Sequence, residues 1–122
     1  MRFMMLLNID EKSVPADGPS PELMAEMGRL LDEMTKAGVL LDTAGLRPTS
    51  EGTRLHLKGG KIEATDGPFA EAKEVIGGYA LIQAASKEEA VEWATRFLRV
   101  HGDEWELTSE IRQVEEPGAE LG

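Results

Sequence analysis

Arg2-Phe3-Met4-Met5-Leu6-Leu7-Asn8-Ile9 is apolar at successive positions rather than at alternate ones. In an extended strand, neighbouring side chains point to opposite faces of the sheet. Phe3, Met5 and Leu7 therefore share one face, and Met4 and Leu6 share the other. A strand apolar on both faces belongs at the centre of a sheet that is covered on both sides. Tyr79 to Ala84 repeats the pattern, so the chain has two such central strands. What covers each face of the sheet decides the fold.

Working outward, Asp10 to Ser20 contains Pro15, Gly18 and Pro19 and reads as a loop. Ser20-Pro21-Glu22 is a helix start, with an N-cap hydroxyl, proline at the first helical position and an acid near the positive dipole end. Leu23, Met27, Leu30, Leu31 and Met34 follow as one apolar stripe, and Gly38 marks the stop. The methionines on and beside that stripe suit an adaptable binding face, although core filling is the favoured reading. Val39 to Leu46 is a short strand. Thr53 to Lys58 and Lys61 to Thr65 flank Gly59-Gly60 as a β-hairpin, with Arg54, His56 and Lys58 on its wet face.

Ser86-Lys87-Glu88-Glu89 is a capping box. It opens a helix whose inner face is Ala90, Ala94, Phe97 and Leu98 and which ends at Gly102. Trp105 to Glu115 is the last strand. Residues 1–115 form a single expected domain, with 116–122 as a flexible tail. The order is β, α, β, hairpin, β, α, β. Without the hairpin it is βαββαβ, the ferredoxin-like α+β arrangement with two helices on one face of a mainly antiparallel sheet. The other face is left bare and apolar, which predicts cover by a second copy in a two-fold homodimer.

Bulk composition narrows the function. The chain has 122 residues, no cysteine, and 13 basic against 23 acidic residues, for a formal net charge of −10. That surface repels phosphate backbones and anionic bilayers, so neither nucleic acid nor membrane is an expected partner. The apolar run Phe3 to Leu7 is too short for a signal segment or a span, and a cytoplasmic protein is expected. His56 and His101 lack a third ligand at metal-binding spacing, so no metal site is expected. No phosphate-cradling glycine loop or nucleophile elbow is present, and no cofactor is expected.

The densest chemistry is Asp66-Gly67-Pro68-Phe69-Ala70-Glu71-Ala72-Lys73-Glu74-Val75-Ile76-Gly77-Gly78-Tyr79. Pro68 has no amide, so the Asp66 carboxylate either caps the Phe69 amide or stands free. In the first case Asp66 shapes a turn and Phe69 plugs into the core. In the second, Asp66 is the candidate acid or base of a small-molecule cleft, with Lys73 and Glu74 at its mouth. Gly77-Gly78 signals a bulge or a close backbone approach, by another strand or by a ligand. Glu110 and Arg112 share a strand face and form an expected ion pair, with Arg112 as a second candidate ligand contact.

This motif, the Gly45-Leu46-Arg47-Pro48 corner and the closing Glu110-Ile111-Arg112-Gln113-Val114 resemble the DGPF-domain group of YCII-related proteins. The resemblance implies a dimeric α+β barrel of ferredoxin-like protomers and no established activity. It also implies a regulatory setting, because some members are associated with extracytoplasmic-function sigma factors. A His-Asp pair is proposed in a cleft of the wider family. This chain has no histidine in its first helix or second strand, so that pair does not carry over. Three expectations result: a small-molecule site with or without acid/base catalysis, a non-enzymatic partner of a sigma factor, or a purely architectural motif.

Overall fold

The computed structural model describes residues 1–116. The expected tail falls almost wholly outside them. The elements are β1 (Arg2–Ile9), α1 (Pro21–Lys36), β2 (Leu40–Gly45), β3 (Thr53–Lys58), β4 (Lys61–Asp66), β5 (Val75–Gln83), α2 (Lys87–Val100) and β6 (Leu107–Gln113). A 3-10 turn at Thr49–Glu51 precedes the hairpin.

Four strands form one antiparallel sheet in the order β2-β5-β1-β6, and β3 pairs only with β4. With the hairpin set aside, this is the ferredoxin-like α+β order. The two strands apolar on both faces, β1 and β5, are the two central strands. Phe3, Met5, Ala80 and Ile82 point to the helices and pack with Leu30, Met34, Val39, Ala90 and Ala94. Phe3, Met34 and Ile82 are the largest fully buried side chains.

Both helices start as their sequences require. The Ser20 hydroxyl accepts from the Leu23 amide at 3.1 Å, and the Ser86 hydroxyl accepts from the Glu89 amide at 3.1 Å. The Glu89 carboxylate reaches back to the Ala85 amide at 2.9 Å, one residue before the cap of the expected box.

Neither helix packs on the outer sheet face. Strand register sets two rows across it, Arg112-Met4-Leu81-Asp42 and Glu110-Leu6-Tyr79-Ala44. Both rows are apolar on the central strands, and three of the four edge positions they share between them are charged. Met4, Leu6, Tyr79 and Leu81 remain half-buried.

β5 begins four residues earlier than its apolar run suggested, and Gly77-Gly78 lie inside it. The register shifts between Leu7 and Asn8 opposite these glycines. A side chain at Gly77 would come within 2.7 Å of the Ile9 side chain, and one at Gly78 within 3.1 Å of the Ala44 carbonyl oxygen. The approach that calls for glycine is therefore made by neighbouring strands. β6 starts at Leu107, later than expected, and Trp105 lies before it with its ring 5.7 Å from that of His101.

Candidate functional site

Asp66 ends β4 opposite Thr53, and its carboxylate accepts from the Thr53 hydroxyl at 2.8 Å across the hairpin base. It neither caps Phe69 nor stands unbonded. The Phe69 amide donates instead to the Thr49 hydroxyl at 3.4 Å, and Thr49 donates in turn to the Glu11 carboxylate. The Thr49 amide also donates to Glu11, at 2.8 Å. Three loops distant in sequence are thus tied at one point, the loops after β1, after β2 and after β4. The Gly67 amide completes the knot by donating to the Gly52 carbonyl at 2.8 Å.

Phe69 is not a core plug. It is half-buried at the hairpin base, where the Arg54 guanidinium lies 4.0 Å over its ring. Arg54 also donates to Glu71 at 2.6 Å. That hydrogen bond, more than the charge itself, holds the Glu71 carboxyl below its ordinary pKa. Glu71 and Arg54 therefore brace the loop against the hairpin.

Two clefts lie near this end of the sheet. The first, about 240 Å³, lies beside the turn between Asp10-Glu11-Lys12 and the segment Pro68 to Val75, and Lys73 lines it. Neither Asp66 nor Glu74 lines it, and Arg112 stands beside Met4 on the outer sheet face, with Glu110 at 3.7 Å. The four candidate residues therefore share no cavity.

The second cleft, about 250 Å³, opens between the sheet and both helices. Met27 and Leu31 of α1 and Phe97 of α2 form one wall. Met5, Leu7 and Ala80 form the floor, and Gly45, Gly77 and Gly78 line it without side chains. Its hydroxyls are Thr43 and Ser109, and no charged residue lines it. Thr43 already donates to the Tyr79 carbonyl at 2.9 Å. The Tyr79 hydroxyl donates to Asp42 at 3.0 Å, which raises its pKa. The sequence contained a partial signal for this cleft. Met34 of the methionine stripe fills the core, whereas Met27 lines the cleft.

His101 caps α2. Burial is the main cause that lowers its pKa, and its Nδ1 lies 3.0 Å from the Phe97 carbonyl oxygen. The neutral ring is favoured, with Nδ1–H donating, so His101 packs as an aromatic rather than as a cation complementing the helix dipole. His56 is exposed on the hairpin. Among the described residues, no three His, Cys, Asp or Glu side chains converge on a metal site, and no helix is long and apolar enough to cross a membrane.

The family model of the YCII-related domain matches residues 1–108. An uncharacterised protein of Rhizobium meliloti (strain 1021) is 36% identical over 72 residues, a stretch that spans 59% of this chain and 58% of that relative.

Proposed function

The chain belongs to the YCII-related domain family, and on that premise we propose that it binds a small, largely apolar molecule between its helices and sheet. One observation carries this reading: the cleft of about 250 Å³ is apolar on its walls and floor and has glycines in its lining. Ligand sites are typically concave, mostly apolar and supplied with a few polar groups. Ser109 and Thr43 are the polar groups here.

With no charged side chain in the lining, the geometry favours binding over acid/base chemistry. Asp66 serves the hairpin base in this reading. Lys73 is left as a contact for an acidic group in the smaller cleft beside the turn. The Asp66 to Phe69 motif supports placement in the DGPF group, in which a binding cleft without a catalyst suits a sensing role beside a sigma factor. The apolar centre of the outer sheet face supports a two-fold homodimer.

Thermal unfolding with indole or 1-hexanol as probes tests the site. The midpoint should rise with probe concentration as mass action requires. Met27→Trp, which puts a bulky ring at the α1 wall, should abolish the rise, and Asp66→Asn should preserve it. A rise that survives Met27→Trp unchanged, or no rise with either probe, contradicts the assignment.

A further inference from the structure

The β3–β4 hairpin leaves a second apolar surface uncovered. Leu55, Leu57 and Ile62 share one face of it and are 68%, 69% and 68% exposed. The side-chain contacts that tie the hairpin to the neighbouring loop lie at its base, from Arg54 to Phe69 and Glu71. They use its polar face. A two-stranded hairpin with no packed face is marginally stable in water. Contiguous exposed aliphatic side chains on such an element mark an interface.

Charge indicates what covers it. Residues 53–66 carry Arg54, Lys58 and Lys61 against Glu63 and Asp66, a net of +1, in a chain of net −10. The rest of the chain is therefore at −11. The two tip lysines flank Gly59-Gly60 at the far end of the arm. The outer sheet face offers the matching surface, an apolar centre of Met4, Leu6 and Leu81 with Asp42 at one edge and Glu110 beside Arg112 at the other, a net of −1. One chain thus carries both an apolar arm of net positive charge with a basic tip and an apolar platform whose edge residues sum to −1. A two-fold axis lets each copy give its arm and receive the other's, which closes the assembly.

We propose that the β3–β4 hairpin is an arm that grips a second copy of this chain, with Leu55, Leu57 and Ile62 seated on the outer sheet face of that copy. This rests on the two-copy reading above and adds the element that holds the copies together.

The test uses the full chain and sedimentation equilibrium, with single-cysteine crosslinking as a second measurement. The wild type should be dimeric. Leu55→Glu/Leu57→Glu should keep its circular dichroism spectrum, because both side chains are exposed in the single chain, and should weaken association by on the order of 100-fold. The chain has no cysteine, so Leu57→Cys and Leu81→Cys can be made singly and mixed under oxidation. A mixed disulfide dimer between the two variants is expected. A double variant that dimerises as tightly as the wild type, or an absent mixed disulfide, overturns the arm while leaving a sheet-to-sheet dimer standing. A wild type that remains monomeric up to about 100 µM overturns both.

Discussion

Gly67→Ala tests the knot of loops that sets the hairpin and the turn. A Cβ added at Gly67 would lie 1.7 Å from the Thr49 carbonyl oxygen and 2.7 Å from its carbonyl carbon. Both atoms are backbone, so no side chain can swing aside. Relief requires the Thr49–Glu51 turn to move by more than an ångström. That motion stretches the bonds from Thr49 to Glu11, from the Phe69 amide to Thr49 and from the Gly67 amide to Gly52. At roughly 0.5–1.5 kcal/mol for each ordinary bond and more for those to a carboxylate, with solvent replacing some of them, the loss is about 2–4 kcal/mol. A domain of this size is stable by roughly 5–15 kcal/mol, so the effect is large.

Urea unfolding followed by circular dichroism reads the loss as a midpoint lowered by about 1–2 M. Gly28→Ala is the control. Gly28 lies inside α1, and a Cβ there meets nothing within 4 Å. It should stabilise by about 0.5–1 kcal/mol through helix propensity. A Gly67→Ala loss below about 0.5 kcal/mol would refute the knot, because mutations without a structural mechanism fall in that range.

Three further outcomes follow from the same geometry. Burial lowers the His101 pKa, so the unfolded chain binds its proton first. Stability should fall as pH drops from about 6.5, the unfolded value, toward the lower folded one, and His101→Phe should flatten that limb in urea titrations at stepped pH. Hydrogen bonds to arginine lower Glu33, Glu71 and Glu116. Their contribution is complete above about pH 4.5 and is lost as pH falls through their folded values, so low-salt unfolding curves should steepen there and lose that steepness in high salt. Asp66→Asn keeps an oxygen that accepts from Thr53 at an exposed site, so its unfolding free energy should stay within about 0.5 kcal/mol of the wild type.

The sheet was legible because β1 and β5 are apolar at consecutive positions, and only central strands of a two-faced sheet need that. The hairpin was legible from Gly59-Gly60 between alternating runs, both helices from Ser20 and Ser86. Local sequence could not place Asp66. The alternating run ends at Thr65, but pairing with Thr53 carries β4 one residue further and commits the carboxylate to the hairpin base. Nor could it show that Phe69 is capped by Thr49 and Thr49 by Glu11, contacts that span 20 and 38 residues. The apolar cleft draws on both helices and all four strands of the main sheet, so no single stretch announces it. Gly77-Gly78 and Met27 were its only traces, and strand packing and core filling explained both equally well.

The most direct test of the binding cleft is methyl NMR with all six methionines labelled at the ε-methyl. Met5 and Met27 line the cleft, Met4 lies on the outer sheet face, Met1 and Met24 are exposed, and Met34 is in the core. On titration with indole, the cleft reading predicts saturable shifts at Met5 and Met27, with Met1, Met4 and Met24 unmoved. Saturable shifts confined to Met4, or no saturable shift at Met5 and Met27, would contradict it.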